Sequence, residues 1–463
     1  MFRRMWWTVI ALCAAQFVLI LDVVIINVAI PVIRSDLGLL DSRVSLTGTA
    51  YTLTFGSLLV VAGRAGDRLG RRALLLGGLA LFVLASLLAG LSQVDWQLFT
   101  ARALQGTGAA LVSANALAAI TASLPEGAER NRALGLWAAV GSAGAIAGQL
   151  VGGAVTEFLG WRWIFLINVP IGAAVVVALA VLMRRDADPV RRPLAFGASA
   201  LLTGGLVSGV LALTWLAEDG VRTRAGLAAL IAAVLLGTFV HAERRSAEPL
   251  LRLALLRLPG VRTANVTLLL NAGALGATMF FATLYLQVVL GHSAFAVGLA
   301  FAPITVVVLV ISPRVAALTG RVGVRRPLTA GLVLLVAGAL LLARAPVGGS
   351  YWADVLPGML LLALGSALAF APTFIAASIG VGPDDHGASS GLINSAQEIG
   401  AALGLATLAL VANWATGPGA GPGALATGYR AGLIGAAACF ALAAVVAATT
   451  PASLGKTREG AHT

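Results

Sequence analysis

Charge is scarce in this chain. Asp, Glu, Lys and Arg make up 11% of its 463 residues, against about 25% in soluble globular domains. The deficit excludes an ordinary water-soluble domain, and a hydrophobic content of 59% with a mean hydropathy of +0.95 agrees. Cysteine is nearly absent: Cys13 and Cys439 both lie in apolar segments, so neither a disulfide framework nor a cysteine metal site is indicated. The four histidines, His241, His292, His386 and His462, are scattered and form no ligand cluster. No loop gathers a nucleophile, base or metal set, and no phosphate-binding loop is present. An enzyme is therefore not expected, and neither is a cofactor or metal. Lysine occurs once, as Lys456, beside 30 arginines, which suggests a GC-rich bacterial genome.

What the chain has is long apolar runs. A hydrocarbon core is about 30 Å thick, which about 20 helical residues cross. Such runs recur at 8–31, 45–63, 73–92, 97–122, 132–158, 163–183 and 194–215, and again at 225–241, 263–290, 294–312, 327–344, 353–379, 387–412 and 429–449. Fourteen spanning helices are thus predicted, an all-α polytopic membrane protein, because lipid offers backbone polar groups no outside partner. The first run follows Arg3 and Arg4 but is too long for a signal peptide, and Pro31 closes it; it reads as a retained helix.

A net charge of +12 would suggest nucleic acid in a soluble protein, but here the arginines occupy short loops. With a cytoplasmic N-terminus, the outer loops hold Arg34, Arg43, Arg162, Arg222, Arg224, Arg344 and Arg430. Arg102 falls within a helix, and the other 23 of the 31 basic residues fall inside. The positive-inside rule then puts both termini in the cytoplasm. The expected location is a bacterial inner membrane, and no nucleic-acid partner is expected.

Two inner loops look alike. "GRAGDRLGRRALLL" begins at Gly63 and "LTGRVGVRRPL" at Leu318, with Arg68 and Arg321 separated by 253 residues and eight predicted helices. Parallel repeats of helical halves are a transporter architecture, but halves of six helices would give an offset of six. Two helices are therefore read as inserted. The expected organisation is a six-helix bundle over 1–185, two inserted helices over 186–250, and a second six-helix bundle with a short cytoplasmic tail over 251–463.

These stretches carry a resemblance. The first loop has Gly63, Asp67, Arg68, Gly70, Arg71 and Arg72 in the spacing G-x-x-x-D-R-x-G-R-R. Together with "LDVVIINVAIP", "ARALQGTGAA", "WRWIFLINVPIG", "YLQ" at Tyr285 and "GASSGLINSAQEIGAALG", it resembles the major facilitator superfamily, specifically its fourteen-helix branch of drug:proton antiporters. The resemblance implies two six-helix bundles plus two helices, alternating access, and proton-driven multidrug efflux. It also implies that the loop Gly63, Asp67, Arg68, Gly70, Arg71 and Arg72 acts as a conformational latch favouring the outward-open state; Asp67 is placed to pair with Arg71 and cap a helix. The second copy has Gly320 where the acid is expected. "GSAGAIAGQLVGG" supplies a helix-packing motif through Gly144, Gly148, Gly152 and Gly153; the resembled antiporter motif has Gly-Pro where this chain has Gly148 and Gln149. Likewise Val24 stands where that branch usually has threonine, and Gln397 and Glu398 where it commonly shows arginine and glutamine.

The buried ionisable groups carry the proposed chemistry. A charge at a helix centre costs about 2.5–3.5 kcal/mol on insertion scales, so such groups face a cavity or a partner. Asp22, Arg102 and Glu398 are of this kind and form the expected proton-coupling set. Asp22 is expected to face the cavity, on a different face from Gln16 and Asn27. Gln105 and Ser113 share a face with Arg102, and Asn394 shares one with Glu398. The expected substrate cavity comprises Asp22, Asn27, Gln105, Gln149, Asn271, Tyr285, Asn394 and Glu398, with Asn27 also placed to bond to a neighbouring helix. Phe280, Phe281 and Tyr285 offer surface for a hydrophobic cation, or else core packing. A desolvated carboxylate titrates nearer neutrality than usual, and each proton entering gains about 2.3 kcal/mol per 100 mV, enough for a cargo gradient of roughly 40-fold.

The function expected is proton-driven efflux, by a monomer, of hydrophobic cationic drugs or an amphipathic metabolite or antibiotic. The alternatives are an uptake permease of the same fold and a non-transporting membrane sensor.

Overall fold

A computed structural model describes residues 2–449 apart from 41–42, 124–127, 184–195, 217–220, 247–248, 250, 252, 383–385 and 418–420. The described chain is helical. In order come α1 (Phe2–Leu37), α2 (Leu46–Leu69), α3 (Arg71–Gly90), α4 (Asp95–Ser123), α5 (Ala128–Phe158), α6 (Trp163–Leu166), α7 (Asn168–Leu182) and α8 (Phe196–Leu216). Then follow α9 (Arg222–Arg245), α10 (Pro259–Leu284), α11 (Ala294–Val322), α12 (Arg325–Ala343), α13 (Leu356–Ser378), α14 (His386–Thr416) and α15 (Pro422–Ala448). Among the described residues, twelve helical segments are long and apolar enough to cross a membrane. The 24-residue α2 and the 31-residue α5 are not among those twelve.

The helices outrun the apolar stretches at several ends. Pro31, expected to close the first helix, lies inside α1, which continues to Leu37. Its missing N–H frees the Asn27 carbonyl, a loss that spanning helices tolerate when neighbours or side chains re-satisfy the freed backbone group. The apolar run at 163–183 is split at Ile167 into α6 and α7. A five-residue π-turn, Tyr285–Val289, extends α10, and another, Tyr351–Val355, leads into α13.

The chain divides into two compact units. The first holds Met1–Gly209, Ala228–Ala242 and Ser293–Leu299; the second holds Val210–Leu227, Glu243–His292 and Ala300–Thr463. In the first, α4 packs on α2 and α3, α1 on α5 and α7, and α3 on α7. In the second, α12 packs on α13 and α15, and α10 on α14 and α15. Close approach depends on small residues, as expected where lipid supplies little hydrophobic drive between helices. A methyl group at Gly106 would collide with the Tyr51 carbonyl of α2, and one at Gly108 would lie 2.6 Å from the Gly78 carbonyl of α3. Helix α4 is thereby pressed between two neighbours along the turns that carry its polar side chains.

The repeat read from the two inner loops has a backbone counterpart. Gly70 joins α2 to α3 with φ +94°, and Gly323 joins α11 to α12 with φ +82°. Their separation matches that of Arg68 and Arg321. Both sit in the left-handed region, where a side chain would strain the backbone.

Candidate functional site

Within the first unit, four helices deliver polar side chains, and a fifth a backbone carbonyl, to one dry point. Asp22 of α1 and Arg102 of α4 have 0% and 1% of their surface exposed, and Arg102 Nη1 lies 2.6 Å from Asp22 Oδ2. Gln105, one turn after Arg102, donates through Nε2 to Asp22 Oδ1 at 3.1 Å and to Ser86 Oγ of α3 at 2.7 Å. Its Oε1 accepts from Arg102 Nη1 at 3.0 Å. Asn168, at the start of α7, donates through Nδ2 to Asp22 Oδ1 at 2.7 Å. Arg102 Nε reaches the Thr47 carbonyl of α2 at 3.1 Å, and its Cζ stands 4.5 Å from the Tyr51 ring centre and 5.8 Å from that of Phe165.

Burying an ion pair costs several kcal/mol per charge by desolvation, and only good geometry with further hydrogen bonds offsets it. Asp22 meets that condition with three donors, one of them charged. Asp22 and Gln105, both expected in the substrate cavity, have no exposed surface and are packed among helices, where the guanidinium and two amides satisfy the carboxylate. The sequence brought Asp22, Arg102 and Gln105 forward; Ser86, Thr47, Tyr51 and Asn168 it did not. Asn168 had a signal, as an amide embedded in the apolar "WIFLINVPIG".

The glycine motif of α5 runs alongside α1. Gly144 faces Phe17 and Ile20, Gly148 faces Leu21 and Val24, and Gly152 faces Ile25. A methyl group on Gly148 would come within 2.9 Å of Val24 Cβ, so Val24 serves this contact. Gly153 meets the Ala294 carbonyl in the first turn of α11, and Gly298 of that same stretch meets the Gln149 carbonyl. Glu157 Oε2 accepts the Phe295 N–H at 2.9 Å, closing the contact. Gln149 Oε1 is buried without a hydrogen-bond partner among the described residues. Asn27 is half-buried on α1.

In the second unit the expected site residues are more dispersed. Glu398 of α14 is half-buried and accepts from Gln397 Nε2 at 3.3 Å; Asn394, one turn earlier, is also half-buried. Asn271 of α10 is buried and its Oδ1 has no partner among the described residues. Tyr285, expected in the cavity, instead donates its hydroxyl to the Pro346 carbonyl at 2.6 Å, because the π-turn aims it at the 344–350 loop. Phe281 stacks on Tyr429 at 6.0 Å and meets Phe280 edge-on at 5.5 Å, which is core packing. Gly400 and Gly404 of α14 press on Leu269 and Gly273 of α10, repeating the α5–α1 arrangement.

The latch loop is partly visible. Gly63 lies in α2 and Gly70 ends it; the side chains of Asp67 and Arg68 lie outside the described residues. Arg71 Nη1 donates to the Ala118 carbonyl near the end of α4 at 3.1 Å, and Arg72 Nη2 to the Ala180 carbonyl in the last turn of α7 at 2.7 Å. Arg4 adds bonds to the Val181 and Leu182 carbonyls at 2.8 and 3.2 Å. Helix C-termini expose unpaired carbonyls at the negative end of the dipole, where cations are favoured. Here, therefore, the motif arginines hold helix ends.

Known proteins bear on this arrangement. The model of the Major Facilitator Superfamily matches residues 12–405. The chain is 36% identical over 462 residues to a cephamycin export protein of Amycolatopsis lactamdurans, covering 97% of this chain and 93% of that one. It is 35% identical over 465 residues to a puromycin resistance protein of Streptomyces alboniger, with 96% and 91% covered. A multidrug resistance protein of Mycobacterium tuberculosis is 33% identical over 416 residues, with 89% and 77% covered. Among solved structures, a bacterial homologue of the human lysosomal transporter Spinster, inward-facing and unoccupied, superposes with a TM-score of 0.69 at 16% identity over 96% of each chain. A proton-dependent oligopeptide transporter superposes with a TM-score of 0.67 at 17% identity over 95% of this chain and 97% of the other. With the family match running from α1 into α14, the chain belongs to the major facilitator superfamily of membrane transporters.

Proposed function

We propose that this transporter is a proton-driven exporter of amphipathic, antibiotic-like molecules, cationic ones included, built on fourteen spanning helices. The observation that carries the reading is the sealed Asp22–Arg102 pair with its amide partners. An ionisable pair placed so deep in apolar helices is expensive, and proton relays are a recurring use of such groups in transporters. Export as the direction is supported by relatives whose names describe cephamycin export and puromycin resistance.

In this reading α2 and α5 also span, both termini are cytoplasmic, and residues 186–250 join two six-helix halves. Asp22 carries the proton; Glu398 in the second half is the other carboxylate available to proton or cargo. The two states of Asp22 must be seen in turn from the two sides of the membrane. Protonation weakens the bond to Arg102, and the helices that meet at Asp22 can then repack. Proton release on the inner side restores the pair.

Vesicles of opposite sidedness test this. Inverted vesicles energised to an acid interior should accumulate puromycin and release protons as they do so. Accumulation in right-side-out vesicles driven by an inward proton gradient would instead make the chain an uptake permease.

A further inference from the structure

Among the described residues, every polar atom that touches the Asp22 carboxylate is a donor. Oδ2 receives Arg102 Nη1 at 2.6 Å, and Oδ1 receives Gln105 Nε2 at 3.1 Å and Asn168 Nδ2 at 2.7 Å. That set suits the ionised form. A protonated Asp22 carries an O–H that itself needs an acceptor, and burying it without one is costly. The neighbours have little to give. Arg102 has no acceptor atom, and Gln105 Oε1 is already taken by Arg102 Nη1 at 3.0 Å. Ser86 Oγ is engaged by Gln105 Nε2 at 2.7 Å.

Asn168 differs. It has no exposed surface, and its Oδ1 is buried with no hydrogen-bond partner among the described residues. That oxygen sits on the same carbon as the Nδ2 that faces Asp22. Rotation about the Cβ–Cγ bond of Asn168, a torsion with two broad wells, exchanges the two atoms. We infer that Asn168 is a positioning residue for the proton step, turning its amide so that Oδ1 accepts the hydroxyl of protonated Asp22. The inference rests on Asp22 being the proton carrier proposed above.

The step balances simply. A hydronium ion gives its proton to Asp22 Oδ1: an O–H bond forms on the carboxyl, one O–H bond of the hydronium breaks, and a water molecule is released. Asn168 turns, and Nδ2–H···Oδ1 is replaced by O–H···Oδ1 in the reverse sense. One atom of the amide lacks a partner in either state, so the exchange leaves the number of hydrogen bonds unchanged. Arg102 is the one charged group that contacts Asp22 among the described residues, and it stays charged throughout.

Infrared difference spectroscopy of the full chain in liposomes, between alkaline and acid pH, tests the inference without a transported ligand. The wild type should show an acid carbonyl band that vanishes in Asp22→Asn. In Asn168→Leu that band should move to higher wavenumber, as for an acid without an acceptor, and Asn168→Ser should move it back, since a hydroxyl both donates and accepts. An Asp22 band unmoved in Asn168→Leu overturns the inference alone. Absence of any Asp22-dependent band at every pH overturns it together with the proton-carrier reading. Protein labelled with 13C-asparagine covers the case in which the leucine variant does not fold. The acid form should shift one side-chain amide band to lower wavenumber in the wild type but not in Asp22→Asn, and no such shift overturns the inference.

Discussion

Arg102 Nη1 and Asp22 Oδ2 lie 2.6 Å apart between α4 and α1, both within 1% of complete burial. Removing one partner of a buried pair leaves the other uncompensated, at a cost of about 3–5 kcal/mol. Arg102→Leu should therefore lower the thermal midpoint of the purified protein sharply. Asp22→Asn also leaves the Arg102 charge uncompensated and should lower the midpoint, but less, because Asn still accepts through its oxygen; it should fold and insert and yet lose proton-coupled efflux. Wild-type efflux from that variant would defeat its role as carrier. The double variant Asp22→Asn/Arg102→Leu should be milder than the sum of the single effects, since the two residues share one interaction.

The glycine faces predict a graded series. An alanine methyl at Gly144 meets Ile20 no closer than 3.2 Å, and one at Gly148 comes to 2.9 Å of Val24; at Gly400 it collides with the Leu269 carbonyl and lies 2.7 Å from that residue's Cα. Overpacking a close-packed contact costs about 1–3 kcal/mol. Thermal midpoints should fall in the order Gly144→Ala, Gly148→Ala, Gly400→Ala, the last being the largest loss. Equal midpoints across the series would contradict the packing described.

Helix α7 ends on two arginines from other helices, Arg72 and Arg4. Cations at a helix C-terminus contribute about 0.3–1 kcal/mol each. Arg72→Leu and Arg4→Leu should speed amide hydrogen exchange in the last turn of α7 while leaving α3 protected. A change confined to α3 would show that Arg72 serves its own helix instead.

Tyr285→Phe separates two roles. The hydroxyl bonds to the Pro346 carbonyl, a contact of the kind worth about 0.5–1.5 kcal/mol. Efflux should persist in the variant while exchange in the 344–350 loop rises. Loss of efflux with an unchanged loop would return Tyr285 to the cargo path.

Much of the helical architecture was legible because lipid makes sequence patterns blunt: apolar runs must be helices. Helix ends were less legible. Pro31 is a terminator in water, yet α1 passes through it, since that rule assumes solvent and neighbouring helices change the cost. The buried acid and base announced themselves by their expense, but their partners did not. Thr47 contributes a carbonyl that any residue would supply, Ser86 is a common small residue of helices, and Tyr51 and Phe165 contribute ring faces indistinguishable in sequence from core. Asp22 was read as cavity-facing because a helical wheel ranks directions and leaves unsaid which neighbour fills each one. The internal repeat was visible in the arginines; only the backbone revealed that Gly70 and Gly323 share a left-handed joint.

With Asp22 as the proposed proton carrier, its pairing with Arg102 also sets how the site would sense voltage. With Asp22 ionised, the two charges cancel and the network is electrically silent; with Asp22 protonated, it carries one net positive charge. A charge crossing the full field gains about 2.3 kcal/mol per 100 mV. One proton exchanged for a monovalent cation then moves no net charge and draws on the acidity difference alone. The same proton exchanged for a neutral cargo is electrogenic and draws on both. Under the proposed exchange, a single pump would hold two steady-state gradients for two drugs of equal affinity, set by whether the drug itself is charged.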